Sequence, residues 1–94
     1  MGIEYALRFA EADPGRVAAL LRSLPTAREL PPPYQQQVGI GGDPSGEGWP
    51  AATVMAEAGG AYFCDHCGGM GPEYLGVVVA WLVGEFGPVT VSEL

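Results

Sequence analysis

Residues 3–10 alternate strictly along the chain. Ile3, Tyr5, Leu7 and Phe9 point one way; Glu4, Ala6, Arg8 and Ala10 point the other. A period of two predicts a half-buried strand. The period then lengthens. Asp13-Pro14 reads as a helix start, with aspartate as N-cap and proline in the first turn. Val17, Leu20, Leu21 and Leu24 follow at helical spacing and form one apolar face, and Pro25 ends it. Residues 26–33 predict a connector in which Pro31-Pro32-Pro33 is an extended, stiff spacer. Residues 34–40 alternate again, with Tyr34, Gln36, Val38 and Ile40 on one face. Residues 41–50 form a glycine-rich loop. Residues 51–58 predict a strand of small residues. Gly59-Gly60 is a two-residue hairpin turn, and residues 61–64 return as a strand.

The longest apolar run is 74–86. Val77-Val78-Val79 alone would suit a buried strand. The length of the run and the opening Gly71-Pro72-Glu73 favour a helix, with proline in the first turn and a carboxylate at the positive end of the dipole. On that helix Leu75, Val78, Val79, Leu82 and Phe86 form a core face. Gly76, Ala80 and Gly84 form a stripe of small residues. Tyr74, Val77 and Trp81 lie on the remaining side. Only Glu73 and Glu85 are charged, so the expectation is a helix covered on most sides by the domain or by a partner. Each glycine costs about 1 kcal/mol relative to alanine in a helix interior, which predicts a close backbone approach to offset it. After Gly87-Pro88, Val89 and Val91 alternate with Thr90 and Ser92 as a last short strand.

The order β-α-β-β-β-α-β predicts one α+β domain over residues 1–94. Its two helices would pack on one face of a four- to five-stranded, mostly antiparallel sheet, a two-layer sandwich. That arrangement is similar in kind to ferredoxin-like folds with an extra short strand. Fold class alone assigns no function.

Composition narrows the functions. The chain has 94 residues, 48% of them hydrophobic and 16% charged. A chain of this size buries roughly 60–65% of its unfolded surface, enough for one core. Net charge is −7, with four Arg and no Lys. Such a field repels phosphate backbones and anionic membranes, so neither nucleic acid nor membrane is an expected partner. It favours a soluble monomer or a basic protein partner. The absence of Lys and Asn beside abundant Gly, Ala and Pro fits a GC-rich bacterial genome. Two cysteines without a secretory leader suggest a reducing cytoplasm.

Chemistry is sparse. Cys64-Asp65-His66-Cys67 holds both cysteines and the single histidine. A structural zinc site needs four such ligands, and the adjacent His66 and Cys67 point to opposite sides of an extended chain. As a redox pair, Cys64 and Cys67 are separated from the following helix by Gly68-Gly69-Met70-Gly71-Pro72. That gap removes the dipole that would activate a thiol. The loop 39–50 is acidic and lacks Lys, which rules out a phosphate cradle. Asp43, Ser45 and Glu47 mimic half a calcium loop, but Val54 stands where a bidentate Glu is required. On the outer sheet face Arg8 is expected beside Glu4, Gln35, Gln37 and Glu57. Nothing here specifies catalysis or a cofactor.

The expected function is therefore non-enzymatic protein–protein association. Tyr74, Val77, Trp81 and Trp49 are the expected interface, either in a homodimer or in neutralising a basic partner. Small acidic bacterial immunity proteins are similar in size and charge, without any shared motif. The second expectation is metal binding or thiol redox chemistry at Cys64, His66 and Cys67.

Overall fold

The computed structural model describes residues 3–10, 13–42, 48–66 and 71–94, with Gly71 and Pro72 by backbone alone. Strands are β1 (Ile3–Arg8), β2 (Ala27–Glu29), β3 (Val38–Ile40), β4 (Ala52–Glu57), β5 (Gly60–Asp65) and β6 (Thr90–Glu93). Helices are α1 (Pro14–Arg22) and α2 (Gly71–Phe86). The strands form one six-stranded sheet in the order β2-β3-β4-β5-β1-β6, with every neighbouring pair antiparallel. Strand β1 lies between β5 and β6, so α2 connects two strands that flank a third. Likewise α1 leads from β1, by way of β2 and β3, to β4 on the far side of β5. Strands β4-β5-β1-β6 thus carry the ferredoxin-like double split connection, and β2 and β3 extend one edge.

The expected α+β sandwich is present, with one strand more than the five of the predicted order. Strand β2 falls inside the segment expected to be a connector. Strand β3 is only the last three residues of the alternating stretch 34–40. The Pro31-Pro32-Pro33 run is not an extended spacer. The Tyr34 N–H donates to the Pro31 carbonyl (2.9 Å) and the Gln37 N–H to the Tyr34 carbonyl (2.9 Å), which folds the segment into two successive turns. The reason lies on either side: Leu30 and Pro50 are buried, and the missing side chain of Gly39 leaves room for both against the sheet. That packing turns the chain back.

Both helices pack on one face. Val17, Leu21, Leu24, Val78 and Leu82 join Leu7, Val38, Ile40, Ala52, Val54, Ala61 and Phe63 in one buried cluster. Helix α1 begins as its residues require: the Asp13 carboxylate accepts from the Gly15 N–H at 2.9 Å. Helix α2 ends at Gly87, whose φ of +88° suits glycine and whose N–H donates to the Val83 carbonyl at 3.0 Å. Phe9 and Phe86 stack at 5.2 Å and hold the end of α2 near β1.

The hairpin β4–β5 turns at Ala58-Gly59, one residue earlier than expected, and Gly60 pairs with both Glu57 and Arg8. A Cβ on Gly60 would lie 1.8 Å from the Leu7 carbonyl oxygen. Gly76 and Gly84 differ: nothing lies within 4 Å of a Cβ there. The close backbone approach expected for the α2 stripe is absent among the described residues, because the stripe points away from the sheet. Gly60→Ala should therefore lower unfolding stability by about 3 kcal/mol through overpacking. Gly76→Ala should raise it by about 0.5–1 kcal/mol. Urea unfolding in dilute solution checks both.

Candidate functional site

Two regions are available. The first is the solvent side of α2. Val78 and Leu82 are fully buried, with Leu75, Val79 and Phe86 packed around them, as the helical spacing requires. The opposite side holds Gly76, Ala80 and Gly84 in a row, all exposed. Val77 and Trp81 border this row on one side and Val83 on the other, at 38%, 40% and 44% exposure. Among the described residues the domain covers only the other face of α2, so of the two covers expected for α2 they supply one. A groove of about 450 Å³ runs beside it, lined by Leu20 of α1 and by Ala80, Trp81, Gly84 and Glu85. Arg16 adjoins Glu85 of this lining. It pairs with Glu85 at 3.3 Å and lies over the Phe86 ring at 5.4 Å.

The four expected interface residues do not share one surface. Val77 and Trp81 lie together on the open side of α2. Tyr74 is half-buried against Gly41, whose φ of +70° and missing side chain admit the ring. Trp49 lies across the sheet, on the face opposite the helices.

That outer face is the second region. Alternation along β5 sends Ala61, Phe63 and Asp65 into the core and Tyr62 and Cys64 outward, and His66 continues the outward series. The His66 N–H donates to the Ala51 carbonyl at 2.8 Å, carrying the ladder one step past Asp65. Thr53 sits opposite Cys64 on β4 and is fully buried. Thr53 Oγ1 lies 2.9 Å from His66 Nε2, and Cys64 Sγ lies 3.9 Å from His66 Nδ1. The Trp49 ring stands edge-on to the His66 ring at 6.0 Å, and Tyr34 stands edge-on to Trp49 at 5.0 Å.

Burial holds the His66 imidazole below its ordinary value of 6.5, and the Asp65 carboxylate opposes that shift. Nearby, Tyr62 hydrogen-bonds Glu4. Burial, that bond and Cys64 together raise the Tyr62 phenol above its ordinary value. Adjacency of His66 and Cys67 had counted against shared coordination. The pair that converges is Cys64 and His66, two residues apart and on one face of the strand. The signal was present in the period of two. Cys67 lies outside the described residues, as do Asp43, Ser45 and Glu47 of the calcium-like loop.

The polar outer-face set divides as well. Arg8 pairs with Glu57 at 2.5 Å over the side-chain-free Gly60. Gln35 and Gln37 instead line a cleft at the β2 edge with Arg22, Arg28 and Glu29. At about 120 Å³ that cleft is smaller than ligand pockets, which run to roughly 300–1,000 Å³.

No helix among the described residues is long and apolar enough to cross a membrane. Comparison with protein-family models, curated proteins and solved structures found no match.

The depressed His66 value fixes the sign of its pH effect. The folded state releases the proton more readily than the unfolded chain. This contribution is therefore fully present above the unfolded pKa and is lost as pH falls through the lower folded pKa. Unfolding free energy should decline from about pH 7 to pH 5 more steeply in the native protein than in His66→Gln. Urea titrations across that window check it, with the imidazole pKa read directly by NMR.

Proposed function

We propose that this protein is a non-enzymatic association module that pairs with a second copy of itself through the open side of α2. The observation that carries the reading is the row Gly76, Ala80 and Gly84, exposed between Val77 and Trp81 on one side and Val83 on the other. Small residues four apart let two helix backbones approach closely, and the flanking apolar side chains then supply buried area. The surface is self-complementary. Trp81 projects beside a groove floored by Ala80 and Gly84, so two copies related by a two-fold axis crossing near Ala80 each offer a projection and a groove. Aromatic side chains of this kind dominate the energy of protein interfaces.

Charge favours this partner over a basic one at this surface. The face carries Glu73, and Glu85 at its edge is already paired with Arg16. The net charge of −7 is carried largely elsewhere. Two copies repel at long range, and salt screens that repulsion, so self-association should strengthen as salt rises. Binding of a basic protein to the acidic surface would weaken instead.

Sedimentation equilibrium should show a dimer that tightens with salt. Ala80→Arg and Trp81→Glu should each give a monomer with unchanged circular dichroism. A monomer on the order of 1 mM chain in high salt would overturn the proposal. So would a dimer untouched by either substitution.

A further inference from the structure

We infer that Cys64 and His66 form a two-point site for monovalent copper, bound by the Cys64 thiolate sulfur and His66 Nδ1. The two donors are 3.9 Å apart on the outer face of β5. With bonds as long as those zinc makes, about 2.3 Å to sulfur and 2.0 Å to nitrogen, one ion reaches both at an open angle of roughly 130°. Among the described residues no group of three or more His, Cys, Asp or Glu converges. Zinc takes three or four protein ligands, whereas a soft thiolate paired with an imidazole at a wide angle suits copper(I) at low coordination number.

The surroundings support a ligand role for His66. A metal-binding imidazole usually donates its other ring N–H to a fixed acceptor, which sets the tautomer and the ring orientation. Thr53 Oγ1, 2.9 Å from Nε2, is placed to accept that bond and leave the Nδ1 lone pair facing sulfur. Thr53 is itself buried, so its position is set by the sheet. Trp49 walls the ring edge-on. Burial favours the neutral imidazole, the form that binds metal. Cys64 is 8% exposed, which shields the thiol, while His66 is half-buried. Copper(I) enters without a change of oxidation state: the thiol proton passes to solvent and the sulfur–copper and nitrogen–copper bonds form. The acidic surface favours approach of a cation.

The test is an anaerobic titration of the reduced, tag-free protein with copper(I), in competition with a chromophoric copper(I) chelator. A one-to-one complex is expected, with a sulfur-to-copper charge-transfer band and a shift at His66 Nδ1 in nitrogen NMR. Cys64→Ser and His66→Gln should each weaken binding at least tenfold. Thr53→Val, acting through His66, should weaken it about tenfold while the charge-transfer band remains. In the native protein, copper(I) should protect Cys64 from alkylation, located by fragment mass spectrometry. This readout stands even where a variant fails to fold. The inference is overturned by the absence of a one-to-one complex, by unprotected Cys64, or by either ligand variant binding as tightly as the native protein. Zinc binding more tightly than copper(I) would also overturn it.

Discussion

The antiparallel pairing of β1 with β5 is the constraint on which the molecule depends. Its six-residue register runs from Ile3 opposite Asp65 to Arg8 opposite Gly60. It joins the first strand to the second half of the chain and leaves β1 open on its other edge for β6. Both helical crossovers are then required to lie over the same face. A slip of one residue would exchange the faces of β5, turning Phe63 outward and Tyr62 and Cys64 inward. Gly60 permits this register, because a side chain at that point would meet the Leu7 carbonyl.

From that register the two faces acquire different characters. The inner face is apolar, with Leu7, Phe63, Val54 and Ile40 beneath the helices. The outer face is polar where it is open, with Arg8 bound to Glu57 and Glu4 to Tyr62. It is covered where β3 and β4 meet the turn segments. There Leu30 and Pro50 pack over Gly39, and His66, which joins Thr53 and Cys64, lies beside Trp49. A sheet with helices on one side would ordinarily leave that whole face to solvent. Here Leu30 and the 48–50 segment partly close it, and they do so around the only cysteine–histidine pair among the described residues.

The two candidate regions are therefore on opposite sides of the sheet and rest on unrelated physics. The α2 surface offers apolar area and close backbone approach, and it suits a macromolecular partner. The β5 surface offers two donor atoms with fixed orientation, and it suits a small soft cation. Neither requires the other. The distance in kind between them explains why Trp49 and Trp81, similar in sequence as bulky aromatics outside a core pattern, belong to separate surfaces.

Periodicity determined the strand read at 3–10 and the apolar faces of both helices, because the burial of one face imposes a repeat that any single element carries; the helix starts at Asp13-Pro14 and Gly71-Pro72-Glu73 and the glycine turn after the strand read at 51–58 came from cap and turn residues. The same period of two, continued past Cys64, puts Cys64 and His66 on one side of β5, whereas the C-x-x-C pattern joins Cys64 to Cys67. Periodicity could not reveal β2 or the turns of 31–37. A three-residue strand has too short a repeat to register, and those turns exist because Leu30 and Pro50 fill the space over Gly39, a residue distant from Pro50 in the chain. The fate of the Gly76, Ala80 and Gly84 stripe likewise lay beyond the sequence. A missing polar face says that a helix lacks affinity for water, but whether its own domain covers it depends on where the sheet ends. Only the tertiary structure decided that the sheet covers one side of α2 and leaves the other open.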